Sequence, residues 1–520
     1  MRRTLLASSL LAVACASQSR PAFPPQLEPV RTECQRLVAS GKMPSIAIAV
    51  AQSGRVIWEE AFGKADLKSG QPATSDTMYT LASTGKSITG TAIAILAERG
   101  LIDLDAPASR YLGPEKLTVY EGDPRRITVR TLLTMGVDIP HLWWHHWRDD
   151  RVPPLTNAEI VRRYAIVTGP ADGGFYYSNL TFGVLAQIAE NVSGMPFADF
   201  VEKEIFRPLG MNHSSVRPDS RFAALLTNSS EPYWYSDPEG AAGYRASIDD
   251  LIHYAMFHLA DRVAGQKPVL SRAMLAQIHD TSTAGYRFGW GNVDDEGGLR
   301  TALANGGIVG AASCIRLVPQ SDIAVAVLTN IPGRTVDAVA DHAITALVPQ
   351  YRGRMVIPPQ FEERPYQPDP GWAGGWIGEV KTWQGSTTVR LNFNGASVTM
   401  QIGEGDSLPL RELHLENGFV EGICDCTVPM SDTHGETSAL ELALRRDGDR
   451  LYGSARVVST APRTNFSLPA YIELKKAASG GLGNPLISSA SGRAQRFGSS
   501  CRTCLSARRW SSRSPWSAAW

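Results

Sequence analysis

The sequence lacks an excess of either charge: 51 Lys and Arg residues stand against 51 Asp and Glu. Nucleic acid is bound by clustered Lys and Arg, so a neutral chain gives no electrostatic case for that partner. The arginines without acidic neighbours sit at the two ends, Arg2 and Arg3 at the start and Arg493 to Arg513 near the finish, which leaves the body between them mildly acidic. Cysteine is scarce as well, with seven spread over 520 residues. That density excludes a small scaffold stapled by disulfides. Cys424 and Cys426 stand too close for an ordinary bridge to each other, and Cys501-Arg-Thr-Cys504 has redox or zinc spacing with no second pair beside it. Beyond the first residues the chain has no apolar run long enough for a membrane-spanning helix.

What is present is ordinary globular material, 43% hydrophobic and 20% charged, which excludes a wholly disordered or fibrous chain. At roughly 150 residues per unit, this length makes two to four folded units. Met1-Arg2-Arg3 followed by an apolar run from Leu5 to Ala14 reads as a secretory signal over residues 1–19. Its end is open between two forms. Ala14-Cys15-Ala16 suits cleavage before Ser17, whereas Leu11 to Cys15 has the shape of a lipoprotein box, which would attach the protein to a membrane through a lipidated Cys15. The expected location is therefore periplasmic or extracellular. Residues 477–520 have no hydrophobic period and read as a disordered or spurious basic tail.

Between these ends a Pro-rich linker, 351–370, separates two patterns. Before it, over 27–350, strand and helix periods are interspersed. Ser45–Ala51 and Val56–Trp58 read as a hairpin, as do Cys314–Val318 and Ile323–Leu328. Ser83–Arg99 and Thr181–Val192 read as apolar helices closed by glycine. The fold class is α+β. After the linker, over 371–475, Val389–Phe393, Ser397–Ile402, Leu440–Leu444 and Leu451–Val457 predict a small all-β barrel or sandwich. It carries no catalytic constellation and reads as a packing or substrate-rim module.

The chemistry concentrates in two short stretches. In Ser83-Thr84-Gly85-Lys86, residues three apart on a helix share a face, so the Ser83 hydroxyl and the Lys86 amine can meet. A serine hydroxyl needs an adjacent base, and a lysine becomes one when burial or nearby charge lowers its pKa. In Gly173 to Asn179, Tyr177 and Asn179 stand two apart just before a helix. A phenol beside ammonium groups loses its proton more easily, so Tyr177 is a candidate base or relay. The Asn179 amide suits a substrate carbonyl and a hold on Lys86.

Together with Met43-Pro44-Ser45, Trp58–Gly63, Leu101–Asp105, Tyr111-Leu112, Pro208–Met211 and Ile323–Asn330, these motifs form an ordered series. The series resembles the penicillin-recognising serine hydrolases, the branch of class C β-lactamases, family VIII carboxylesterases and D-amino-acid peptidases. The resemblance implies a β-lactamase/transpeptidase-like domain, with Ser83 as acylated nucleophile and Lys86 and Tyr177 as the proton-transfer pair. It implies substrate binding by Asn179 and by a third motif, Lys-Thr-Gly or His-x-Gly in relatives, matched here by Asn305-Gly306-Gly307. The backbone N–H of Ile308 would complete the oxyanion hole with that of Ser83. No metal or organic cofactor is called for.

Two departures shape the expected function. Asn305 carries no positive charge where relatives that bind a carboxylate place a cation, which favours esters over β-lactams and D-amino-acid peptides. Met135-Gly136-Val137-Asp138 replaces the His-Thr-Ser-Gly common in relatives. The expectation is an exported serine hydrolase cleaving small carboxylic esters. β-Lactam or D-amino-acid peptide hydrolysis is the alternative, and a catalytically impaired binding module the second. His141, His145 and His146 among Trp143, Trp144 and Trp147 read as an aromatic wall or plain packing, and Arg287 as an anchor for an acidic substrate group.

Overall fold

The computed structural model describes residues 22–147, 153–169, 171, 174–217, 233–261, 265–280, 285–294, 297–353, 364–416, 418–461 and 466–477. The signal, Cys15, Gly173 and Cys501–Cys504 lie outside the described residues, as does the tail after Ala477.

The first unit is built on a seven-stranded antiparallel sheet. Its strands run, in spatial order, Gly285–Arg287, Trp290–Asp294, Arg300–Ile308, Ala311–Val318, Ile323–Thr329, Ser45–Gln52 and Arg55–Gly63. The two ends of the unit meet at its centre, where Ile46 lies opposite Thr329 and Gln52 opposite Ile323. Both faces are covered, which is why Ser45–Gln52 reads as one apolar run. Its large side chains Ile46, Ile48 and Val50 pack beneath the helices Glu28–Ala39 and Thr335–Leu347. Its alanines, Ala47, Ala49 and Ala51, face the opposite layer, where small side chains let Ile248–His258 approach the sheet. Burial of each large aliphatic side chain contributes about 1.5–3 kcal/mol.

The helix that follows the Ser83 turn, Gly85–Glu98, is buried from Gly85 to Leu96. A helix apolar on all sides belongs in an interior. Close packing depends on its glycines. A Cβ on Gly90 would fall 2.0 Å from the Phe288 carbonyl oxygen, at the turn between the first two strands of the sheet. The sequence predicts this helix from Ser83, but Ala82 has φ 46°, and residues Ala82–Thr84 form a tighter 3-10 turn before the α-helix begins. A left-handed alanine is strained. It bends the chain so that Ser83 lies in the turn just before the buried helix.

The second unit is a barrel, so the choice between barrel and sandwich resolves to the former. Eight antiparallel strands, Gly374–Thr382, Gly385–Asn394, Ser397–Ile402, Leu408–Glu416, Phe419–Cys424, Ser438–Asp447, Arg450–Ser459 and Phe466–Lys476, pair in order. The first then pairs with the last, from Trp376 opposite Lys476 to Lys381 opposite Tyr471. In Arg450–Ser459 every second residue points inward, among them Leu451, Ala455 and Val457. The interior is filled by side chains such as Leu391, Phe393, Met400 and Leu442. Phe466–Lys476 shows no alternation because it is covered on both sides.

That cover comes from the first unit. Trp143–Trp147 pairs with the barrel through Trp144 opposite Phe466, and Tyr233–Asp237 adds outside it. The Trp- and His-rich segment is thus a strand joining the units. Asp432 of the barrel gathers three donors at the same seam: the Tyr164 hydroxyl, Arg163 Nη1 at 3.2 Å and Trp383 Nε1 at 2.8 Å. Beside it, Glu121 accepts from Arg450 and from the Tyr471 hydroxyl at 2.6 Å, and Tyr120 stacks on Tyr471 with ring centroids 4.1 Å apart. Replacing Asp432 by Ala leaves these donors without their shared acceptor. Urea unfolding of Asp432→Ala is expected to show a loss of roughly 2–3 kcal/mol.

Candidate active site

Lys86 Nζ is fully buried. It lies 2.9 Å from Ser83 Oγ, 2.7 Å from Asn179 Oδ1 and 3.3 Å from the Ala241 carbonyl oxygen. Burial holds its pKa well below the ordinary lysine value. All three neighbours are oxygens, and none carries a charge that would hold an ammonium. In the neutral form Asn179 and Ala241, which only accept, take the two hydrogens, and the lone pair is left for the Ser83 hydroxyl, the arrangement a general base requires.

Tyr177 approaches Ser83 from the other side, its hydroxyl 2.7 Å from Ser83 Oγ. Burial pushes its pKa up to about 12, and the Ser83 hydrogen bond pulls it partly back. The raised pKa keeps Tyr177 a phenol, and its hydroxyl donates to Ser83 Oγ. The tyrosine comes from a short extended segment running into the helix Asn179–Ser193. Ser178 caps that helix, accepting from Thr181 N–H and donating to the Pro140 carbonyl at 3.0 Å. Asn179 opens it, and its free N–H donates to His141 Nδ1 at 3.2 Å. Burial first, and then Arg456 of the barrel, lowers the His141 pKa well below the ordinary value, which suits an accepting ring nitrogen. Tyr176 N–H bonds the Met135 carbonyl at 2.8 Å. The unusual 135–138 segment is thus a backing for the tyrosine loop.

The strand Arg300–Ile308 supplies the remaining wall, and its register decides which residues face Ser83. Residues directly opposite across a ladder share a face. Gly306 lies opposite Ser313, whose hydroxyl bonds Thr84 Oγ1 at 2.8 Å and the Leu81 carbonyl at 2.5 Å. A Cβ on Gly306 would fall 2.3 Å from Leu81 O and 2.7 Å from Ser83 N, so only glycine lets the strand lie against this turn. Side chains alternate along a strand. Ala302 and Ala304 therefore share the Ser83 face, while Asn305 lies opposite Cys314, whose side chain packs in the cluster beneath Thr335–Leu347.

The backbone follows the same parity. Ile308 and Ala311 flank a two-residue turn, Val309-Gly310, and such a first pair exchanges its N–H and C=O bonds. The Ile308 N–H is thereby turned toward Ala311. The Gly307 N–H points the other way, to the side that Trp290–Asp294 leaves uncovered, since that strand pairs only with Arg300–Leu303. The structure thus brings Ser83, Lys86, Tyr177 and Asn179 together. It differs from the sequence expectation by one residue at the third motif, setting Asn305 on the far face and Gly307, in place of Ile308, at the open edge.

The other sequence candidates have defined places. Arg287 is engaged by Asp280 at 3.0 Å. Trp143 stacks on His145 and Trp144 on His146, on the joining strand. Cys424 and Cys426 are buried thiols at a barrel strand end. Sequence reasoning missed the Ala241 carbonyl and Ser313, which have no motif of their own.

The Beta-lactamase family profile matches residues 30–350. Protein flp of Staphylococcus aureus (strain NCTC 8325 / PS 47) is 25% identical over 325 residues, 59% of this chain and 64% of that protein, so the match spans less than two thirds of the relative's length. Two solved structures show the same fold. The octameric penicillin-binding protein homologue from Pyrococcus abyssi aligns over 86% of this chain and 100% of its own, with TM-score 0.52 and 20% identity. The D-amino acid amidase from Ochrobactrum anthropi SV3, complexed with L-phenylalanine, aligns over 62% and 98%, with TM-score 0.52 and 20% identity.

The lowered pKa of Lys86 has a consequence for stability. The unfolded chain protonates this lysine up to its ordinary value and the folded chain does not, so burial of Lys86 costs stability in the pH range between the two values. Lys86→Met removes that cost. The variant is expected to be more stable than the wild type in urea at neutral pH. Its margin narrows by about 1.4 kcal/mol per unit as pH rises toward the ordinary lysine value. A margin independent of pH would show that Lys86 is charged when folded.

Proposed function

Because the chain belongs to the Beta-lactamase family, a family of serine hydrolases, we propose that it cleaves carboxylic esters through an acyl-enzyme on Ser83. The observation that carries this reading is the Lys86–Ser83–Tyr177 chain, with a buried amine at 2.9 Å and a phenol at 2.7 Å from one hydroxyl. Lys86 takes the Ser83 proton as Oγ attacks the ester carbonyl. The developing oxyanion sits between the N–H groups of Ser83 and Gly307, at the turn and the open strand edge. The proton held on Lys86 passes by way of the Tyr177 hydroxyl to the departing alkoxide, which leaves as the alcohol. Water then adds to the acyl-enzyme by the same route in reverse, releasing the acid and restoring Ser83. Asn179 keeps the amine aimed and offers its N–H₂ toward a substrate carbonyl.

The preference for esters over carboxylate-bearing amides rests on the strand beside Ser83. Its near face carries Ala302, Ala304 and Gly306, none of which can pair with an anion. An ester needs no carboxylate anchor. We also propose export, on the basic start and apolar run of residues 1–19, with attachment through Cys15 as the form that a lipoprotein box supports. No helix among the described residues is long and apolar enough to cross a membrane.

Intact mass after treatment with a fluorophosphonate, beside turnover of p-nitrophenyl butyrate, tests the reaction. The wild type is expected to gain one adduct and to turn over the ester. Ser83→Ala is expected to lose the adduct and roughly 10³-fold or more of the turnover. A folded wild type that gains no adduct would leave a binding module in place of an enzyme. Acylation by benzylpenicillin that outpaces ester turnover would move the substrate class to amides.

A further inference from the structure

Tyr177 reaches Ser83 from a loop, and a hydroxyl that must stay 2.7 Å from its partner needs that loop held on both sides. On the C-terminal side the hold is Ser178 and the helix it caps. On the other side it comes from the barrel. Arg445 lies on Ser438–Asp447, among the residues that point out of the barrel, and its Nη2 donates to the Tyr176 hydroxyl at 2.8 Å. The guanidinium carbon stands 4.1 Å from the Phe419 ring centroid and 5.5 Å from that of Tyr176, within cation–π range of both rings. Tyr176 in turn folds back over Gly174, where a Cβ would fall 2.7 Å from the Tyr176 hydroxyl oxygen. Its backbone N–H is tied to Met135. Tyr176 is therefore fixed at its hydroxyl by one unit and at its backbone by the other.

We propose that Arg445 of the barrel is a positioning residue for the hydrolase, acting through Tyr176 to keep Tyr177 on Ser83. The barrel is then a working part of the active site, and the catalytic unit alone is incomplete. The size of the effect follows from geometry, since misplacing a reacting group by about 1 Å costs on the order of 100-fold in rate. Loss of one of two anchors allows part of that displacement. This inference rests on the hydrolase reading above.

The test uses the full chain with Arg445→Ala, Tyr176→Phe, the two combined, and Arg445→Lys. Turnover and KM for p-nitrophenyl butyrate, the rate of fluorophosphonate labelling and backbone hydrogen exchange over residues 174–178 are measured in each. The expected result is a roughly 10-fold fall in kcat and labelling rate for either single variant, with KM within about 2-fold of the wild type. The double variant is expected to be no slower than Arg445→Ala. Arg445→Lys is expected to recover part of the loss, and exchange over 174–178 to quicken while that of 311–318 is unchanged. Tyr176→Phe removes a single oxygen and keeps the packing, so it reads the contact even if Arg445→Ala disturbs the barrel. Wild-type kcat in both folded single variants would overturn the inference, as would losses that multiply in the double. An unlabelled wild type sinks the hydrolase reading itself, whereas a labelled wild type with unaffected variants sinks only the role of Arg445.

Discussion

Lys86 is an amine buried away from solvent, and among the described residues it makes no ion pair. Its hydrogen-bond partners are one hydroxyl and two carbonyl oxygens. A carboxylate in the place of Asn179 would hold it as an ammonium, and an ammonium cannot take a proton. An amide oxygen in the same place accepts one hydrogen and carries no charge to hold an ammonium. Burial is what lowers the Lys86 pKa, because a charge without a partner is costly away from water, and Asn at residue 179, in place of Asp, leaves that effect unopposed.

Much of the first unit is arranged around keeping that site dry and tight. The helix after Lys86 is buried on all sides, which requires sheet, helices and turns to approach it closely. They do so where side chains are missing, Phe288 against Gly90 and the strand Arg300–Ile308 against the Ser83 turn at Gly306. The left-handed Ala82 is the local strain that this packing sustains. It sets Ser83 at the head of the helix with its N–H free of the helical ladder. Strained backbone at a reactive residue holds only when its surroundings over-determine it. Here Ser313 does so, bonding both Leu81 and Thr84 on either side of the strained residue.

The parts of this site that sequence made legible are those carried by side chains at short spacing. Ser83 with Lys86, and Tyr177 with Asn179, are pairs whose chemistry can be named from residue type and separation alone. The hairpin ending at Ile323–Thr329 and the alternation in Arg450–Ser459 were legible for a similar reason, since a period of two needs only a few residues to declare itself. The third motif was not. In Ala304-Asn305-Gly306-Gly307 the informative feature is which residue faces Ser83, and a shift of one residue exchanges the faces. Two adjacent glycines give no side chain to choose between the registers. The choice is made by the turn at Val309-Gly310 and by the contact of Gly306 with Leu81 and Ser83, both of them tertiary facts.

The seam between the units was hidden for a different reason. Trp143–Trp147 looks like an aromatic cluster because a strand that joins two units buries Trp144 and His146 on one face and half-buries Trp143 and His145 on the other. Arg445 and Tyr176 lie 269 residues apart, and neither belongs to a recognisable pattern. Yet the seam bears on the chemistry from two directions. Arg456 helps depress the pKa of His141, whose ring accepts the Asn179 N–H, and Arg445 holds the tyrosine next to Tyr177. Both arginines project from adjacent, paired strands of the barrel, with Glu441 opposite Arg456 and Tyr452 opposite Arg445. Arg456 is ion-paired to Glu441 within the barrel and acts on His141 only through its charge, whereas Arg445 reaches the Tyr176 hydroxyl directly. The barrel therefore belongs to the physical argument about the active site, on the same footing as the strand that carries Gly306.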